Sequence, residues 1–179
     1  NLIDWDELGR AVKVSIRMLD NVIDANKYAV DAIREMTHST RKLGLGVMGF
    51  ADMLVKLGIP YDTDGAVELG RKLMKFIQEN ADEESINLGE ERGPFPAWHD
   101  SKQAKSGAPK YRNACRLTVA PTGTISMIAG ASSGIEPIFS LAYRKHNILE
   151  GETLYYVDKN FEKIAKKEGF YSDDLLEHL

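Results

Sequence analysis

The chain has 179 residues, 43% of them hydrophobic and 28% charged, with a net charge of −4. That balance suits one soluble domain with a buried core and excludes the basic footprint of a nucleic-acid or anionic-membrane binder. A single cysteine, Cys115, rules out an intrachain disulfide and a thiolate zinc cluster, and four scattered histidines offer no metal-ligand spacing.

The opening NLIDWDELGR is acidic and has no apolar core of the signal-peptide kind, so a cytoplasmic protein is expected. It enters a helical pattern almost at once, which reads as a piece of something longer. Leu8, Val12, Ile16, Leu19 and Ile23 form one apolar stripe, predicting a helix over 4–26 with Asp4 and Asp6 at its start. A shorter helix fits 30–40. Over 42–47 the pattern changes to alternation, with Leu43, Leu45 and Val47 against Lys42, Gly44 and Gly46, which predicts a strand. A helix from Met48 follows, closed by Gly58 and Pro60.

Gly44, Gly46 and Gly49 match G-x-G-x-x-G, but the next helix leads into a second helix rather than a strand. The dinucleotide reading therefore lacks its βαβ unit. A long helix is predicted over 64–91. Residues 93–111 hold three prolines and little periodicity, and read as a long functional or packing loop. Alternation over Cys115–Val119 predicts a strand halted by Pro121, with Cys115 a buried core thiol. A short helix near 124–130, strands near 139–143 and 153–156, and helices over 158–168 and 172–179 complete an α/β layered or barrel pattern.

From Leu117 to Ile135 there is no charge, yet the run is rich in Gly, Ser, Thr and Pro. In APTGTIS, Pro121 ends the extended segment and Gly123 lets a ligand approach the backbone. Thr122, Thr124 and Ser126 bring hydroxyls, and the following helix offers unpaired N–H groups. Such a cradle could hold a phosphate without lysine, unlike a Walker A loop; equally, such a turn can cap a helix and bind nothing. Glu136 is the lone charge near the next turn, where a capping or hydrogen-bonded role is as natural as a chemical one.

Four blocks, STRKLGLGVMGFADMLVKLGIPY, ERGPFPAW, RNACRLTVAPTGTISMIAGASSGIEPIFSLAY and EKIAKKEGFYSDDLLE, resemble the large catalytic chain of ribonucleotide reductase. The Thr-Gly-Thr form of the loop is similar to the class II, adenosylcobalamin-dependent enzymes. The resemblance implies an α/β fold, part of a ten-stranded barrel built from two half-barrels. This chain would be a single partial domain, the second half. Residues 1–110 would be mainly helical with one short strand near 42–47, 111–157 would hold strands and the phosphate loop, and 158–179 would be helical.

It also implies ribonucleotide reduction by a thiyl radical, with a thiol reductant such as thioredoxin, the rest of the catalytic barrel as partner, and no nucleic acid or membrane. Ala120, Pro121, Thr122, Gly123, Thr124, Ile125 and Ser126 would bind the substrate phosphates. The family's Asn-Pro-Cys-Gly-Glu loop with the radical cysteine is absent, as are its reducing cysteines. No residue here is therefore carried over as catalytic, and the chain alone is expected to be inactive. Tyr155 and Tyr156 read as strand residues, one buried and one exposed. Unpaired strand edges predict self-association, a homo-oligomer included. Two alternatives stand: a class I large-chain fragment, or a non-catalytic nucleotide- or phosphate-binding half-barrel module.

Overall fold

The computed structural model describes residues 2–148, 152–172 and 174–175. They form two compact units, one of Asn1–Val47 with Asp64–Ala120 and one of Met48–Thr63 with Pro121–Leu179.

The first unit is built on two helices. Helix α1, Trp5–Ala25, starts where Asp4 accepts a hydrogen bond from the Glu7 N–H at 2.9 Å. Its inner face carries Val12, Ile16 and Ile23, and also Asp20. Helix α4, Asp64–Arg92, packs along it through Leu73, Ile77, Ala81 and Leu88. Between them, α2 (Asp31–Thr40) ends at Arg41, which takes a left-handed conformation at φ 46°. A non-glycine residue is held there only by strong surroundings.

Those surroundings are a buried ionic hub. Asp20 is fully buried and receives Arg41 Nε at 2.9 Å, Asn113 Nδ2 at 2.9 Å and Arg92 Nη1 at 3.1 Å, with Arg112 Nε at 3.4 Å. Arg41 also grips Asp24 through two bonds of 2.8 Å. Asn113 donates again to the Arg41 carbonyl, and its amide oxygen accepts from the Ser85 hydroxyl. An unpaired carboxylate could not stay charged at such depth, so the partners are required.

The strands expected over 42–47 and 115–119 shrink to a single parallel bridge, Leu45 with Leu117. Leu45 donates to the Arg116 carbonyl at 2.9 Å and accepts from Thr118 N–H at 2.9 Å, and Leu43 donates to the Cys115 carbonyl at 2.8 Å. Gly46 permits the approach: a Cβ there would sit 2.9 Å from the Thr118 carbonyl oxygen. Cys115 is exposed, not buried as its alternation predicted; the inward residue is Arg116, which binds Asp82 and lies over the Tyr111 ring. The loop over 93–111 is ordered by buried Phe95 and Trp98, a 3-10 turn at Pro96–Asp100 and the short α5, Lys102–Lys105.

The second unit has a smaller core. Helix α3, Phe50–Leu57, buries Ala51 and Leu54 between left-handed glycines Gly49 and Gly58. Helix α6 spans Gly123–Ala129. Strands β1 (Ala142–Ile148) and β2 (Glu152–Val157) form an antiparallel hairpin, and α7 (Lys159–Glu168) buries Ala165. The first of these strands begins three residues later than the alternation suggested. Of the helix expected over 172–179, Asp174 and Leu175 are helical and most of the rest lies outside the described residues. Tyr156 is part-exposed; the Tyr155 side chain lies outside the described residues.

Asp52 ties this unit together. Its Oδ2 accepts from Ser132 N–H at 2.6 Å and its Oδ1 from Asn160 Nδ2 at 2.9 Å. Tyr61 adds a bond from its hydroxyl to the Ile135 carbonyl at 2.7 Å. The described residues thus make an α/β fold that is rich in helix and carries one two-stranded sheet.

Candidate phosphate loop

The segment Ala120–Ser126 turns into α6. Pro121 has no N–H. Thr122 is the N-cap and sits in the left-handed region at φ 53° and ψ 24°. A threonine resists that conformation, and here its own hydroxyl fixes it. Thr122 Oγ1 accepts from the Gly134 N–H at 2.7 Å. The hydroxyl is therefore spent across the turn and makes no cap bond to the helix.

The first N–H groups of a helix have no intrahelical partner. In α6 these belong to Gly123, Thr124 and Ile125, and among the described residues none has another partner. The next amide, Ser126, is used by the Thr122 carbonyl at 2.9 Å. All three free donors lie on exposed residues, and Gly123 has open space where a Cβ would stand. Thr124 adds the one hydroxyl of the loop that faces outward without a described partner.

Ser126 is different. It is buried, and its hydroxyl lies 3.2 Å from the Gly123 carbonyl and 2.9 Å from Ser133 Oγ. Its part is to join the helix to the 132–134 turn. Three adjacent amides without a described partner, at the partially positive start of a helix, are donors of the kind that anions accept. Which hydroxyls are used internally could not be told from the sequence, because Gly134 and Ser133 lie beyond the local pattern.

A cleft of about 510 Å3 lies in the same unit, lined by Ser126, Phe139, Tyr143, Tyr156, Asp158 and Lys159 among others; residues 120–125 do not line it. Among the described residues no three His, Cys, Asp or Glu side chains converge as a metal site.

The family described as "Ribonucleotide reductase, barrel domain" matches residues 1–110 and 105–179. A Thermoplasma acidophilum protein named vitamin B12-dependent ribonucleoside-diphosphate reductase is 52% identical over 174 residues, covering 97% of this chain and 22% of that protein. A Mycobacterium tuberculosis protein of the same name is 47% identical over 174 residues, covering 97% of the chain and 24% of that protein. The ribonucleoside-diphosphate reductase subunit alpha of Chlamydia muridarum is 30% identical over 217 residues, covering 99% of the chain and 20% of that protein. That last alignment is longer than the chain, so this relative carries segments the chain lacks. The chain spans about a fifth to a quarter of the length of these relatives. It belongs to the ribonucleotide reductase family, within the barrel domain.

Proposed function

We propose that this chain is part of the catalytic barrel of an adenosylcobalamin-dependent ribonucleotide reductase, and that Ala120–Ser126 holds the substrate's phosphates. The barrel would be the family's ten-stranded one, this chain its second half. The observation that carries the phosphate reading is the row of three unpartnered amides at Gly123, Thr124 and Ile125, set by the pinned Thr122. Phosphoryl oxygens would accept from these amides, with the Thr124 hydroxyl as a further donor. Gly123 keeps a side chain out of the way. The placement would come from backbone, and no lysine is needed.

The reduction would run in the intact enzyme: a cysteine thiyl removes a hydrogen atom from the ribose, water leaves, and a cysteine pair supplies two electrons as it closes to a disulfide. That scheme takes three thiols, and this chain has one, Cys115. The isolated chain is therefore inactive, and a thioredoxin-like dithiol would re-reduce the intact enzyme. Adenosylcobalamin would supply the means of generating the thiyl radical. It is several times the size of the ligands that fill pockets of ~300–1,000 Å3, and the cleft of about 510 Å3 does not fit it whole. No residue of this chain is assigned to it. A cytoplasmic location fits this chemistry, and no described helix is long and apolar enough to cross a membrane.

The test is Gly123→Ala in the full-length protein that contains this chain. A Cβ there meets nothing within 4 Å, and alanine favours the helix, so the melting temperature should hold or rise slightly. KM for the nucleotide should rise about tenfold or more as the methyl group holds the phosphate off the amides. An unchanged KM would sink the phosphate reading. Activity that needs a separate metal-bearing subunit instead of adenosylcobalamin would sink the cofactor reading alone.

A further inference from the structure

The turn that pins Thr122 is itself held by the first turn of α3. Ser132, which opens it, has all three of its polar groups engaged there. Its N–H donates to Asp52 Oδ2 at 2.6 Å, its carbonyl accepts from the Gly49 N–H at 2.7 Å, and its hydroxyl accepts from the Asp52 N–H at 3.3 Å. The next two residues reach α6. Ser133 Oγ lies 2.9 Å from Ser126 Oγ, and the Gly134 N–H donates to Thr122 Oγ1 at 2.7 Å. Three consecutive residues thus bracket α3 to the start of α6.

One side chain governs the α3 end of that bracket. An acidic residue in the first turn of a helix commonly folds back on its own helix start, yet α3 has no side-chain cap bond. The Asp52 carboxylate reaches out to Ser132 instead, and its other oxygen accepts from Asn160 Nδ2, in the first turn of α7, at 2.9 Å. The Gly49 bond is backbone to backbone and depends on no side chain. The Asp52 bond does, and an N–H on a carboxylate is short and strong. The α6 end carries the strain: Thr122 stays left-handed while Gly134 remains in reach, and a small shift of the turn lengthens that bond.

We propose that Asp52 is a positioning residue for the phosphate site. It fixes the 132–134 turn, the turn fixes Thr122, and Thr122 sets the direction of the Gly123, Thr124 and Ile125 amides. Asp52 touches no ligand in this scheme. The inference rests on the phosphate reading of Ala120–Ser126.

The experiment measures nucleotide KM and melting temperature on the full-length protein that contains this chain. Asp52→Ala should raise KM about fivefold or more, because misplaced donors hold the phosphate poorly. Asp52→Asn keeps an oxygen for the Ser132 N–H and meets Asn160 through a turned amide, so KM should return to within about twofold of the parent. Leu54→Ala destabilises the same helix without touching Ser132, and KM should hold within about twofold although the melting temperature falls. Asp52→Ala combined with Gly123→Ala should raise KM by less than the product of the two, since both act on one set of amides. If Asp52→Ala does not fold, Asp52→Glu replaces it. Its extra methylene carries the carboxylate off the Ser132 N–H but keeps the charge at the start of α3, and KM should rise about threefold or more. An unchanged KM in the folded variant, an equal rise in Leu54→Ala or Asp52→Asn, or rises that multiply would overturn the proposal. If Gly123→Ala also leaves KM unchanged, the phosphate reading falls with it; a rise there alone removes only the role of Asp52.

Discussion

The two units are held together by different means. The first, which holds eleven of the buried apolar side chains among the described residues, also buries a carboxylate, Asp20, paired with three arginines. In the second, the buried apolar side chains among the described residues are Ala51, Leu54 and Ala165, and backbone-directed bonds from Asp52, Thr122 and Tyr61 do much of the joining. Ile125, Ile128 and Phe139 there stand open at 55%, 83% and 79%. A unit organised around buried charge tolerates no lost partner, whereas one organised around turns leaves its polar backbone available to a ligand. The candidate phosphate loop belongs to the second kind.

The sharpest way to break this contrast is Asp20→Ala. It strands Arg41 with only Asp24 as a carboxylate partner and costs Asn113 Nδ2 one of its two bonds, so a loss of ~3–5 kcal/mol is expected. Chemical denaturation should register it, with lost hydrogen-exchange protection in the first unit. Leu54→Ala, in the second unit, should cost ~2–5 kcal/mol by opening a cavity; protection lost first in α3 rather than α1 would show that the units report separately. Thr122→Ala leaves the buried Gly134 N–H without its acceptor and should cost ~1–3 kcal/mol. Thr122→Ser, which keeps the oxygen, should restore most of it, and nucleotide affinity should follow the same order.

The smallest effect concerns pH. The hydrogen bond from Arg41 holds the Asp24 carboxyl below its usual 3.8. A depressed carboxylate stabilises above its unfolded pKa, and that contribution disappears as pH falls through the lower folded value. Asp24 is half exposed, so the gain is slight. Asp24→Asn should make the melting temperature fall less steeply with acid below about pH 4.

The helices were legible because a stripe every three or four residues survives any tertiary context. The extended segments were not. Five alternating residues at Cys115–Val119 describe a pleat but not a partner, and with one bridge to Leu45 the side that faces inward is set by Arg116 reaching Asp82. The hub was hidden for another reason: Asp20, Arg41, Arg92 and Asn113 meet only after folding. One clue existed. Asp20 stands four residues after Ile16 and three before Ile23, on the apolar stripe itself, and a carboxylate there calls for buried cations. The turn into α6 was readable because its chemistry is local; the inward bond to Thr122 was not, because its partner is twelve residues away.

The convergence on Asp20 has a kinetic corollary. Because one carboxylate joins α1 to Arg41, the end of α4 and Arg112–Asn113, none of these can fray alone without exposing an uncompensated charge. Their slowest amides should therefore exchange with solvent as one cooperative block, at a common opening rate, even though nearly a hundred positions separate its first member from its last.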